Sequence, residues 1–135
     1  MDAALVQLVW RRARDCCEYC HMPQECDAAT FEVDHIIARK HRGKTRATNL
    51  ALSCFHCNSH KGSDIAGRTT AGKLTPLFNP RRHKWSRHFR WVGPVLFGRT
   101  DVGRVTIAVL NINDPFRVAL RAGLIEEGVF PPASS

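Results

Sequence analysis

Apolar residues recur at helical spacing near the N-terminus and alternate more tightly through the middle of the chain. Residues 3–14 (AALVQLVWRRAR) put Leu5, Leu8 and Val9 on one face behind Asp2, which predicts a short helix with an aspartate N-cap. Residues 15–29 show no clean period, hold four cysteines and Pro23, and are expected to form a knuckle and loop. Phe31 and Val33 suit a short strand running into Asp34-His35, and Leu50 to Ser53 suit its return strand. The polar stretch 38–48, turning at Gly43, joins them as a loop, and Cys54 to Lys61 fit a short helix stopped at Gly62.

The Gly-, Thr- and Pro-rich run from Asp64 to Pro80 is expected to cross the surface without regular structure. Phe89–Val92 and Val95–Phe97 can pair as a hairpin across Gly93-Pro94. The segment DVGRVTIAVL has β-branched residues that also suit a strand, but Thr100 as N-cap and Asp101 in the first turn favour a helix. Asp114-Pro115 marks a further helix start, running to about Leu124 or Glu126, ahead of a frayed PPASS tail. No internal repeat or low-complexity tract interrupts this order. The expected class is α+β, with a helix before a central knuckle and a mixed hairpin and helix extension after it.

At 135 residues the chain fits one domain, with a core at about 15–62 and an extension at about 63–130. An apolar fraction of 44% and a charged fraction of 24% belong to a soluble globular protein. No apolar run approaches the roughly 20 residues that span a bilayer, so no membrane association is expected. The N-terminus carries no basic segment ahead of its apolar residues, so a cytoplasmic location is expected, where disulfides are disfavoured.

Charge changes the picture through its distribution. Residues 1–34 have three Lys or Arg against seven acids; residues 35–100 have fourteen against Asp64 alone; residues 101–135 have three against four. The whole positive excess therefore sits mid-chain, as a polyanion footprint would, although a solvated basic surface has the same composition.

Two pairs, Cys17-x2-Cys20 and Cys54-x2-Cys57, match a four-thiolate zinc site in which two tight turns each give two ligands. A redox role is the competing reading of one CxxC, but it gives no reason for a second pair 34 residues later. Cys16 and Cys26 are left over as small buried or unpaired thiols.

Between the pairs, VDHII followed by NLALSCFHCNSHKG resembles the HNH endonuclease family, whose hallmark is a ββα-metal element. His35 to Asn49 spans 14 residues and Asn49 to Asn58 spans 9, as that pattern has them. The likeness covers roughly residues 15–62, and Cys-Glu-Tyr-Cys is similar to the start of the zinc-bearing branch. The stretch LFNPRRHKWSRHFRWVGPVLFGRT also resembles the C-terminal part of a group of bacterial HNH-type proteins, without assignable chemistry.

The resemblance implies His35 as general base, a role suited to an imidazole titrating near neutrality. It implies Asp34 and Asn58 as ligands of a catalytic Mg²⁺ or Mn²⁺, for which carboxylate and amide oxygens are hard donors. Adjacent residues on an extended segment point to opposite sides, so Asp34 can bind metal without taking the place of the base. Asn58 departs from the form with histidine there, and His60, two residues on, is the rival ligand. Asn49 is implied to brace the loop that holds His35. Singly, Asp34 reads as a loop acid, Asn49 as a turn residue and Asn58 as a helix cap; at the family's spacing, between two zinc pairs, they read as one site. The family's loop often has His-Gly-Gly where this chain has His41-Arg42-Gly43, and His21 and His56 read as surface residues near the zinc.

Residues 39–46 (RKHRGKTR) and 81–90 (RRHKWSRHFR) each carry five Lys or Arg. Arg39, Lys40, Arg42, Lys44, Lys61, Arg81, Arg82, Lys84 and Arg87 are the expected nucleic-acid contacts, while Trp85 and Phe89, four apart, are expected to pack a C-terminal layer onto the knuckle. The expected function is a metal-dependent DNA endonuclease with one structural Zn²⁺, leaving 3′-hydroxyl and 5′-phosphate ends as the resemblance implies. One site makes one cut, so paired cuts would need a dimer or a partner subunit. The alternatives are a non-catalytic zinc-containing nucleic-acid-binding module and a structural zinc protein binding another macromolecule.

Overall fold

The computed structural model describes residues 1–133 and has an α+β architecture. Helix α1 (Ala3–Ala13) starts where the Asp2 side chain accepts from the amide of Ala4, and ends at Arg14 in a left-handed conformation, φ 56°. Its Val9 is fully buried, while Leu5 packs beside the core from the same face. The knuckle follows, tied by a bridge between Cys16 and Pro23.

Strands β1 (Glu32–His35) and β2 (Leu50–Ser53) pair antiparallel, with His35 opposite Leu50 and Glu32 opposite Ser53. Helix α2 (Phe55–Lys61) leaves β2 directly. Cys54 is its N-cap, its sulfur accepting from the amide of Cys57 at 3.3 Å, and Gly62 ends it at φ 51°. The two strands, joined by the loop 36–49, and the helix that follows form the ββα element. All four residues of β2 are buried, so the hairpin is anchored from its return strand.

The stretch after α2 departs from the surface run expected of its composition. Strands β3 (Ala66–Arg68) and β4 (Leu74–Pro76) pair antiparallel around a turn with Gly72 at φ 85°, and Thr75, Leu77 and Phe78 are buried. Glycine and threonine there serve a hairpin turn and a close approach. A Cβ on Gly67 would stand 2.8 Å from the side chains of Val105 and Val109 in α4 (Asp101–Val109), which packs across this hairpin.

Helix α3 (Trp85–His88) is a single turn that leads into β5 (Phe89–Val92), which pairs with β6 (Val95–Gly98). Thr100 caps α4 by accepting from the amide of Gly103, which decides the ambiguous β-branched run for helix. Asp114 caps α5 (Pro115–Glu126) by accepting from the amide of Phe116. Ser134 and Ser135 of the expected frayed tail lie outside the described residues.

Three two-stranded sheets would be marginal in isolation and need an apolar face to cover them. Here one buried cluster does so, running from Val9 through Tyr19, Met22, Leu50, Leu52, Phe78, Phe89 and Leu96 to Leu110, Ile112 and Phe130. Among the described residues no helix is long and apolar enough to cross a membrane.

Candidate metal centre and hydrolytic cluster

Cys17 and Cys20 from the knuckle meet Cys54 and Cys57 from the first turn of α2, with all four sulfurs within 4.8 Å of one another. All four side chains are buried, and Cys20 and Cys54 approach to 3.7 Å. Burial drives the Cys17 thiol well above its ordinary range, so four buried thiolates would need a cation at their centre. The donor set and its closure from solvent therefore fit a four-coordinate soft-metal site. Cys16 and Cys26 lie outside the cluster, half-buried and unpaired.

Arg117 of α5 donates to Asp27 at 3.0 Å and to the Cys54 sulfur at 3.7 Å. Its charge lies beside a centre that would be anionic when loaded, and it joins the C-terminal helix to the knuckle. Trp85 stacks on His21 at 3.9 Å and donates to the carbonyl of Tyr19, while its ring lies 5.1 Å from Phe89. This is the aromatic layer expected to pack on the knuckle. His21, expected at the surface, is half-buried under Trp85, and that burial lowers its pKa to about 4.

Strand alternation puts Glu32 and Asp34 on one face of β1 and Val33 and His35 on the other. Asp34 is 6% exposed. Its carboxylate accepts from the Tyr19 hydroxyl at 2.9 Å and pairs with the Lys61 ammonium at 3.2 Å. Burial raises the Asp34 pKa, and Lys61 and Tyr19 act against that rise. Lys61 is 2% exposed and also donates to the carbonyl of His35 at 3.2 Å. Three residues earlier on α2, the Asn58 amide donates to the Glu32 carboxylate. Two positions of β1 are thus bonded to two positions of one face of α2. Both Asp34 oxygens are engaged by Tyr19 and Lys61, and Glu32 is bonded to the amide nitrogen of Asn58, which leaves the Asn58 oxygen as the hard donor without a partner in this group.

His35 is half-buried on the opposite face, where its Nε2 shares a hydrogen bond with the Thr45 hydroxyl at 2.9 Å. Asn49 clamps the loop between the strands. Its Oδ1 accepts from the amide of Ile37, and its Nδ2 donates to the carbonyls of Ile37 and Lys44, all at 2.9–3.0 Å. A Cβ on Gly43 would stand 1.6 Å from the Ile37 carbonyl oxygen and 2.9 Å from Asn49 Nδ2, so the clamp needs glycine there. Arg42, which stands where the resembling family often has glycine, takes a left-handed conformation at φ 68°. His60 is turned back on its own helix, its Nδ1 donating to the carbonyl of His56, and His56 in turn donates to the carbonyl of Asn111.

The basic residues divide. Arg39, Lys40, Arg42, Lys44, Arg82, Lys84 and Arg87 are exposed. Lys61 is enclosed with Asp34, and Arg81 is half-buried in an ion pair with Glu18. Both of those cations have partners inside the protein, which a count of charges does not record. Arg42, Lys44, Arg46 and Arg82 line a cleft of about 490 Å³ beside Asn49.

Sequence reasoning missed Glu32, Tyr19 and Thr45. Glu32 was legible through the two-residue period, which places it on the face of Asp34. Tyr19 and Thr45 reach the site through folding of the knuckle and loop, which no local pattern records.

Residues 17–64 match the family model described as HNH endonuclease. Among curated proteins the chain is similar to the Septu protein PtuB of Bacillus thuringiensis, 28% identical over 111 residues. That alignment covers 81% of this chain and 41% of the relative, so the chain spans about two-fifths of the relative's length. No solved structure matches. The zinc-type knuckle, the ββα order and the family match coincide on one segment, and residues 17–64 carry an HNH endonuclease domain.

Proposed function

We propose that the chain is a metal-dependent DNA endonuclease in which His35 is the general base and Asp34 and Asn58 hold one divalent ion. The observation that carries this reading is the meeting of β1 and α2. Asp34 and His35 are consecutive at the end of β1, Asn49 clamps the loop beside them, and Asn58 and Lys61 lie over the strand from one helix face.

Thr45 holds His35 through Nε2, and in the tautomer where Nε2 donates to that hydroxyl, Nδ1 carries the lone pair that takes a proton from the attacking water. Asn49 keeps the loop, and with it Thr45, in register with His35. Asp34 and Asn58 would hold a Mg²⁺ or Mn²⁺, which would supply charge stabilisation at the phosphate and the departing oxygen. Lys61 keeps the Asp34 carboxylate balanced within a buried setting, and Tyr19 fixes its orientation. Zn²⁺ in the four-cysteine site is structural, holding the start of α2 against the knuckle. Arg42, Lys44, Arg46 and Arg82 around the cleft, with Arg39, Lys40, Lys84 and Arg87 outside it, grip backbone phosphates.

A single site makes a single cut, so the chain alone nicks, and paired cuts require a second copy or a partner subunit. The whole of residues 1–135 acts as one nuclease unit, its extension packed against the catalytic element. The competing reading, a zinc module that binds nucleic acid without cutting it, leaves no use for an imidazole held by Thr45 directly after the Asp34 carboxylate in the strand. The test is supercoiled plasmid cleavage with purified protein and Mg²⁺ or Mn²⁺. Wild type is expected to nick and His35→Ala to bind without nicking; binding without cleavage by both would favour the competing reading.

A further inference from the structure

An asparagine ligand has a defect that an aspartate or histidine ligand lacks. Its amide has an oxygen that can bind a cation and, after a half-turn about the last bond, an NH₂ that repels one. The two ends are nearly equal in shape, so packing alone does not choose between them. At Asn58 the choice is made by a hydrogen-bond acceptor. The Glu32 carboxylate, an acceptor without a donor when ionised, takes a hydrogen bond from Asn58 Nδ2. Glu32 is therefore bonded to the NH₂ end, and Oδ1 is the end left free.

Glu32 sits two residues before Asp34 on the same face of β1, opposite Ser53 in the strand pair. It is exposed, whereas Asp34 is buried and already balanced by Lys61. The two carboxylates thus have different partners on α2, three residues apart. We infer that Glu32 is a positioning residue, which fixes the Asn58 amide so that its oxygen faces the catalytic cation. This rests on the reading of Asn58 as a metal ligand given above.

The experiment measures the Mn²⁺ concentration for half-maximal plasmid nicking by zinc-loaded protein, alongside Mn²⁺ binding by electron paramagnetic resonance. Glu32→Ala is expected to raise both the half-maximal concentration and the Mn²⁺ dissociation constant by about 10–100-fold, the usual effect of losing a residue that orients a metal ligand. Cleavage at saturating Mn²⁺ is expected to stay close to wild type. Glu32→Gln, which keeps an acceptor for Asn58 but adds a competing NH₂, is expected to fall between Glu32→Ala and wild type in both. The decisive variant is Glu32→Ala with Asn58→Asp, because a carboxylate offers oxygen in either orientation and needs no orienting partner. That double variant is expected to recover the Mn²⁺ affinity lost by Glu32→Ala.

An unchanged Mn²⁺ requirement in Glu32→Ala would overturn the inference, as would a double variant no better than Glu32→Ala. Equal losses in Glu32→Gln and Glu32→Ala would also overturn it, by showing that Glu32 acts through its charge. Loss of the nuclease reading looks different: wild type would bind Mn²⁺ in this order of variants yet leave plasmid uncut. Glu32 is exposed, so these substitutions leave the core intact, and zinc content checks the knuckle in each.

Discussion

A lysine ammonium that is 2% exposed needs a partner, and Lys61 has the Asp34 carboxylate at 3.2 Å. Nothing in its sequence setting distinguishes it from the solvated lysines of the basic block, so its burial was not legible there. Removing one member of such a pair leaves the other charge buried and unmatched, at a cost of about 3 kcal/mol or more. Lys61→Met is therefore expected to lower the denaturation midpoint sharply, and Lys61→Met with Asp34→Asn to recover much of the loss. An unchanged midpoint in the single variant would mean that the pair is not closed to water. Gly43→Ala is expected to break the Asn49 clamp, because its Cβ would meet the Ile37 carbonyl at 1.6 Å. Its expected readout is a large fall in nicking rate with zinc content unchanged; wild-type cleavage by Gly43→Ala would show that the loop is not needed in this register.

At the scale of elements, the helix boundaries were legible because capping chemistry is local. Asp2, Thr100 and Asp114 each accept from an amide at the start of the helix they were expected to cap, and Gly62 ends α2. The β3–β4 hairpin was not legible, since its strands are three residues long and its partner, α4, lies some thirty residues downstream. The join between α5 and the knuckle was also hidden, because Arg117 and Cys54 are 63 residues apart. That join has a consequence. Arg117→Met removes a cation beside an anionic four-thiolate centre, and zinc is expected to dissociate to a chelator about tenfold or more faster. Arg117→Lys is expected to restore part of the retention; equal zinc retention in all three proteins would confine Arg117 to packing. His88 gives a pH test of the α3 turn. Burial, with His83 and Arg87 nearby, lowers its pKa. The stability it contributes is present above pH of about 6.5 and is lost as pH falls through its lowered folded value. His88→Gln is expected to flatten this part of the stability profile, and an identical acid slope in both proteins would contradict that assignment.

For the whole molecule, the uneven charge seen in the sequence becomes a divided surface. Arg42, Lys44 and Arg46 come from one loop and Arg82 from another that lies 36 residues beyond Arg46, yet they line one cleft beside Asn49. Lys61 leaves that surface for an internal ion pair, and Arg81 lines the cleft while paired with Glu18. Charge counts foresaw the first fact and not the second, since composition records how many cations there are and not which of them find acids. Replacing Arg46 and Arg82 with glutamine is expected to weaken DNA binding and to flatten its salt dependence by about two phosphate contacts. An unchanged salt slope would place the phosphates elsewhere.

The central claim is that the imidazole of His35 and a cation held by Asp34 and Asn58 act on one phosphodiester. It is tested most directly by nicking of supercoiled plasmid across a Mn²⁺ titration, with wild type, His35→Ala and Asn58→Ala compared in zinc-loaded form. The expected result is metal-dependent nicking by wild type, no nicking by His35→Ala at any Mn²⁺ concentration, and a raised Mn²⁺ requirement in Asn58→Ala, with DNA binding retained throughout. Equal nicking by His35→Ala and wild type would contradict it.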